Sequence, residues 1–599
     1  MSAQSFEAVE FDPFAQDVLE RVLPTSSAQR EVWLADKLSR EASLAFNESA
    51  QLRLRGPLRA AELQQALDAL VARHASLRAT IGPDGTELLV GAPAGLALNH
   101  VDLSDLDADT RQASLAQAAA LAVEEPFDLE RGPMLRATLY RLGATDHVLL
   151  LTAHHVVCDG WSWGVMTEDL GALYAEALGE APGPDAAADY GDYVAWEATE
   201  AASPQMAEHE RFWLSRFSGG SLPVLDLPTD RQRAAVRSFN SRRIDRTIDV
   251  ALVSEVRRLG ARAGASVFAT LFSAFAALLN RLTGQDDVVV GVPSAGQSAS
   301  GLTSLVGHCV NLLPVRSAVD PKQPFDALVA TCGGTLLDAF EHQTLTYGSL
   351  LAKLPVQRDP SRLPLVSVMF NVDQAVHSRS QAFPELDVEF SVNPRRYENF
   401  ELFINASQID GALRLECQYN TDLFDAATIE RWLGAYEALL RRAVAAPATP
   451  VGELDLLDTG ARAALLAQQP AATPFAREAL MHTAFVQQAS RTPQRIAVTS
   501  GDRHLSYLEL DQRSNRLAQA LRQRGVRRGD RVGLCLTRGV DMVTALLAVL
   551  KAGAAYVPLD PGFPPARLAY YAEDAALALL VTESTIEVAP RQWRADSAS

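Results

Sequence analysis

Apolar residues recur three and four positions apart in "LRAAELQQALDALVARHASL" (Leu58 to Leu77), which predicts an amphipathic helix. The run "DHVLLLTA" is apolar without alternation, as in a strand buried on both faces. Directly behind it, "WSWGVMTEDLGALYAEAL" (Trp161 to Leu178) returns to helical spacing, and "APGPDAAAD" (Ala181 to Asp189) reads as a connector. A second block repeats this order. "GASVFATLFSAFAALLNRLTG" (Gly264 to Gly284) is an apolar helix closed by glycine, and "DDVVVGVPSAG" (Asp286 to Gly296) is a short buried strand ending in turn residues. The Ala/Pro-rich stretch from Arg441 to Phe475 marks a boundary. Beyond it, "YLELDQRSNRLAQALRQRGV", "DRVGLCL" and "VDMVTALLAVLKAG" predict helix, strand and helix, the start of another α/β unit.

Length and composition add limits to this picture. The chain has 599 residues, 48% of them hydrophobic, enough for roughly four compact units. Its formal charge of -19 offers no electrostatic footprint for nucleic acid or an anionic membrane. Cys158, Cys309, Cys332, Cys417 and Cys535 lie far apart, with no CxxC or Cys/His cluster, so a reducing compartment and no metal site are expected. The acidic start "MSAQSFEAVEFDPFAQ" lacks a signal-peptide core, and no stretch approaches about eighteen uninterrupted apolar residues. A soluble cytoplasmic protein without nucleic-acid or membrane partners is expected.

Candidate chemistry concentrates in "TAHHVVCDGWSWG" (Thr152 to Gly164). An imidazole on a loop leaving a strand can accept a proton at neutral pH when a neighbouring group fixes its tautomer. The spacing from His155 to Asp159 lets a turn bring the carboxylate back under the loop. Gly160 is read as the residue whose missing Cβ permits that turn. On the residues alone, two readings stand: a catalytic imidazole, or satisfied half-buried polar residues at a strand end.

Further motifs extend the pattern. "SSAQREVWLA" (Ser26 to Ala35), "RHASLRATI" (Arg73 to Ile81), "AHHVVCDGWS" (Ala153 to Ser162) and "YGDYVAW" (Tyr190 to Trp196) are followed by "VGHCVNLLPVR" (Val306 to Arg316), "HQTLTYGSL" (His342 to Leu350) and "RDPSRLPL" (Arg358 to Leu365). In that order they resemble the motifs of nonribosomal peptide synthetase condensation domains, members of the chloramphenicol-acetyltransferase-like superfamily. "LSYLEL" (Leu505 to Leu510) and "LKAGAAYVPLDP" (Leu550 to Pro561) resemble the first two core motifs of adenylation domains.

The resemblance implies an α/β fold of two chloramphenicol-acetyltransferase-like lobes meeting in a V, followed by an incomplete adenylation fragment. A leader over 1–23 precedes an N-lobe over 24–200 and a C-lobe over 201–450, then a linker over 451–475 and adenylation sequence over 476–599. The implied reaction joins two carrier proteins across a tunnel. The amine of a downstream aminoacyl carrier attacks the thioester of an upstream acyl or peptidyl carrier, forming an amide bond in secondary-metabolite or antibiotic biosynthesis. The phosphopantetheine arms are substrates on the partners; no cofactor is bound covalently, and no metal. With only 25 residues ahead of Ser26, the donor is expected in trans. The fragment, lacking the later adenylation motifs, is expected not to activate an amino acid.

The same resemblance assigns roles. His155 contacts the attacking amine as base or orienting acceptor, and His154 packs within the loop. Asp159 and Gly160 hold the loop's shape, with Trp161 and Ser162 following them. Asn311 lies near the tunnel, and backbone N–H groups at the start of the Trp161 helix serve the oxyanion. Many relatives carry arginine where this chain has Gln297. Its amide is expected to bond Asp159 in place of a salt bridge, with Arg316 as another candidate cation. An epimerisation domain also carries HHxxxDG, and a non-catalytic recruitment module shares the fold; both stand as alternatives. Cyclisation is disfavoured by the intact His154–His155 pair. "LAFNESAQLRLRGPL" with "CDGWS" resembles domains that follow polyketide modules, pointing to a polyketide or other acyl donor.

Overall fold

The apolar run before the histidines is the central strand Asp146–His154 of a five-stranded sheet, buried along nearly its whole length. In this computed structural model it lies between Asn47–Arg55 and Leu135–Gly143, antiparallel to both, with His154 opposite Asn47. Covered faces explain the missing alternation. Residues 19–218, 222–356, 359–373, 383–470, 473–474 and 478–586 are described, with the backbone of 594–596. Most of the expected leader and the Arg358 end of the last condensation motif lie outside them.

Helices Ala60–Arg73 and Gly160–Ala177 cover this sheet. Leu63, Ala66, Leu67, Leu70 and Val71 form the buried stripe of the first, as the spacing predicts. The outer strand of the sheet comes from far along the chain: Asp387–Val392 pairs antiparallel with Asn47–Arg55. Val388 and Phe390 accordingly belong to the N-lobe core.

The second lobe is built on a six-stranded mixed sheet, ordered 310–318, 287–295, 368–373, 402–409, 412–420 and 241–248. Helix Val267–Thr283 is its core element, buried continuously from Ala269 to Asn280. Ser266 caps its first turn, and Gly284, at φ 71°, closes it in the left-handed region that glycine favours. Phe275 stacks on Phe370 of the sheet with ring centroids 5.2 Å apart. No described helix is long and apolar enough to cross a membrane alone.

Residues from Gln468 onward form a separate unit. Strands Arg531–Cys535, Ala555–Pro558 and Leu579–Thr582 are parallel, with helix Val540–Ala552 as a crossover. Ser506 and Glu509 cap helix Tyr507–Gln523 reciprocally, which accounts for the "LSYLEL" pattern at its start.

Candidate active site

The loop after His154 is fastened from both lobes. Asp159 caps helix Gly160–Ala177 by accepting from the Ser162 N–H at 2.9 Å and the Ser162 hydroxyl at 2.7 Å. Across the seam, the Gln297 amide donates to its two oxygens at 3.2 and 3.0 Å, and the Cys309 N–H donates at 3.0 Å. The carboxylate is fully buried. The Asp159–Gln297 bond expected in place of an arginine pair is present.

Other motifs converge on this loop and on the segment 303–309 that is bonded to it. Gln29, which completes a capping box with Ser26, donates to the Val156 carbonyl at 2.9 Å. Tyr190 donates to the His308 carbonyl at 2.8 Å, and Ser76 to the Val306 carbonyl at 2.7 Å. Trp161 donates its indole N–H to the Thr303 carbonyl at 2.9 Å. Gly307 permits this close packing: an added Cβ would sit 2.4 Å from the Tyr190 ring. Arg73 and His74 both bond Asp169 on the histidine helix, at 2.7 and 2.8 Å.

The two histidines differ in environment. His154 is fully buried, and its Nδ1 accepts from the Val156 N–H at 3.2 Å. Burial first, and the neighbouring His155 second, push its pKa down to about 3, so it is neutral at physiological pH. His155 is partly open, with its side chain 16% exposed, and its Nε2 lies 3.2 Å from Glu48 Oε1. An Nε2–H can donate to that carboxylate, and Nδ1 is buried without a hydrogen-bond partner among the described residues. The His308 ring stands edge-on to His155 at 4.7 Å.

Glu48 is not among the residues that the motifs single out. It accepts from the Trp163 indole at 3.0 Å and from Arg395 at 2.5 Å, and Arg395 in turn pairs with Glu398 at 3.1 Å. A buried carboxylate is tolerable because each oxygen is bonded and a cation is adjacent. Its one signal along the chain is the polar cluster "NES" at the head of an otherwise apolar-alternating strand.

Two expectations change. Gly160 is not needed for the backbone turn: its φ is not positive, and an added Cβ would meet nothing within 4 Å. Its missing side chain leaves open space at the start of the helix. Arg316 does not reach the loop; it grips Asp287 with bonds of 2.9 and 2.6 Å. Asn311 and Arg316 share strand Val310–Ala318 at odd separation, so their side chains leave opposite faces. Asn311 is spent on backbone: it donates to Gln343 and Leu345 carbonyls at 2.7 and 2.9 Å and accepts from the Tyr347 N–H at 3.1 Å.

Glu31 holds the next turn of that segment, accepting from the Gly348 N–H at 2.9 Å. Burial, aided by the Glu197 charge, raises its pKa from 4.5 to about 7. The folded protein then holds this proton more tightly than the unfolded chain. Stability is lost as pH rises from 4.5 to about 7 and stays lost above. Glu31→Gln removes that dependence, so the variant's melting temperature minus the wild type's should grow across the same interval. A constant difference would refute the assignment.

Two helix-layered sheets with a histidine loop anchored across their seam define a two-lobed protein of the chloramphenicol-acetyltransferase-like α/β class. Residues 19–466 match the family described as Condensation domain, and residues 485–598 match that described as AMP-binding enzyme. The chain belongs to the condensation-domain family of nonribosomal peptide synthetases, followed by an AMP-binding fragment. It is 35% identical over 580 residues to a linear gramicidin synthase polypeptide of Brevibacillus parabrevis, covering 95% of this chain and 11% of that protein. Chondramide synthase of Chondromyces crocatus is 35% identical over 570 residues, 94% of this chain and 14% of the relative. The chain thus spans a small fraction of the length of these relatives. In fold, it is similar to a four-domain nonribosomal peptide synthetase solved in its holo form with AMP and glycine. That likeness has a TM-score of 0.78 at 23% identity and covers 96% of this chain and 44% of that one. The first condensation domain of the calcium-dependent antibiotic synthetase matches at TM-score 0.64 and 22% identity, over 73% of this chain and 100% of that one.

Proposed function

We propose that the chain forms an amide bond by letting the amine of a downstream carrier-bound aminoacyl group attack an upstream carrier-bound acyl or peptidyl thioester. The observation that carries this reading is His155 beside the Glu48 carboxylate, in a loop that Asp159 ties to both lobes. The thioester is already activated, and an α-amine with a pKa of about 7.7 to 8.0 keeps on the order of a tenth of its population neutral at pH 7. Holding both arms together therefore supplies much of the rate. His155 orients the amine or accepts its proton, while Glu48 and Arg395 lie beside the ring and fix it. Asp159, Gln297, Ser162 and His154 act as positioning residues. The first-turn N–H groups of Gly160 and Trp161 face the developing oxyanion, and the open space at Gly160 admits a pantetheine arm.

The test mixes the full chain with a donor carrier loaded with an acyl thioester and an acceptor carrier loaded with an amino acid. Intact-protein mass spectrometry then follows both carriers. Acyl mass moving from donor to acceptor is expected; no transfer beyond a heat-denatured control would sink the proposal. Chiral analysis of the donor separates epimerisation, which would return an inverted centre without transfer. A recruitment module would give neither change.

A further inference from the structure

Away from the histidine loop, a cavity of about 220 Å³ is lined by residues 231–238, residues 361–363 and strand-end residues near 400 and 422. That exceeds the roughly 150 Å³ that accommodates a benzene ring. Four arginines line it: Arg231, Arg233, Arg237 and Arg362. Arg233 grips Glu401 with two bonds of 2.8 and 2.9 Å, Arg362 bonds Asp226 at 2.7 Å, and Arg231 pairs with Asp425. Among the described residues, Arg237 has no ion pair, and its Nη1 is buried without a hydrogen-bond partner.

The bland account of Arg237 is its stacking on Phe239, whose ring centroid lies 4.7 Å from Cζ. A ring meets only the face of a guanidinium and leaves its in-plane N–H donors unbound. Burial also pulls the Arg237 pKa below its ordinary value, as for a cation that has lost water without gaining a counter-ion. Val236, Leu363, Phe400 and Leu423 make an apolar section of the wall; most of the rest is polar, and its two carboxylates, Glu401 and Asp422, are bonded to Arg233 and Asn240. We propose that this cavity binds a small organic oxyanion, its carboxylate or phosphate on the Arg237 fork and its apolar body, up to a ring in size, against that apolar section. None of these residues belongs to the network around His155, so the site stands or falls independently of the amide-forming reaction.

The test titrates 4-fluorobenzoate and 4-fluorophenyl phosphate into the full chain by fluorine NMR, with 4-fluorobenzamide as the uncharged counterpart. At least one anion should bind saturably, about tenfold or more tighter than the amide. Arg237→Met should weaken that anion by about tenfold or more. Leu363→Trp fills the cavity while keeping the arginine; it should abolish binding, and it carries the test if the first variant does not fold. Saturation by one anion only identifies the head group and sustains the site. No saturable binding of either anion up to about 10 mM, equal binding of the amide, or unchanged affinity in the folded variants would overturn it.

Discussion

His155→Ala is expected to lower single-turnover acyl transfer by about 10²- to 10⁴-fold, the range of a lost proton acceptor in a positioned site. Its fold should survive. Glu48, the residue facing the imidazole, keeps Arg395 at 2.5 Å and the Trp163 indole at 3.0 Å when the ring is removed, so no buried charge is orphaned. An unchanged melting temperature is therefore part of the expected result. His155→Gln refines the role: its amide can still donate toward Glu48 and accept from an amine but takes up no proton. Activity near wild type would mark an orienting acceptor, and activity near that of the alanine variant a base. Transfer by His155→Ala within a few-fold of wild type would remove His155 from the chemistry.

Asp159→Ala should act first on stability. The buried carboxylate receives the Ser162 N–H and hydroxyl, the Gln297 amide and the Cys309 N–H. Truncation leaves several of these donors unbonded, at a cost of about 3–5 kcal/mol. The thermal transition of the two-lobed unit should drop accordingly, with transfer lost alongside. Adding Gln297→Leu removes one stranded donor, so the double variant should lose less than the sum of the two single changes. An Asp159→Ala protein of unchanged stability that transfers nothing would instead mark Asp159 as a catalytic carboxylate.

What could be read along the chain was what depends on near neighbours. Helices Ala60–Arg73, Val267–Thr283 and Tyr507–Gln523 fall inside the stretches their periodicity predicts. The continuous apolar run before His154 became a strand with both faces covered. The Gln297 contact was reachable because an amide can donate where an arginine would. Glu48 was hidden because its meeting with His155 depends on strand pairing between segments far apart in sequence, where Asn47 faces His154. Arg316 was misplaced because its side-chain direction follows strand parity, which motif proximity does not convey. Gly160 was credited with a conformation that its helical position does not require.

The strand Asp387–Val392 also sets a timetable for synthesis. The outer edge of Asn47–Arg55 stays unpaired until residue 392 has left the ribosome, long after His154 has emerged. At about 5–20 residues per second, that interval is on the order of tens of seconds. During it, a nascent sheet with a bare edge and an incomplete core is exposed to mispairing, which makes this segment a natural client for holdase chaperones. Bringing the two lobes together from separately translated halves would leave that edge waiting on diffusion instead of on the chain's own growth.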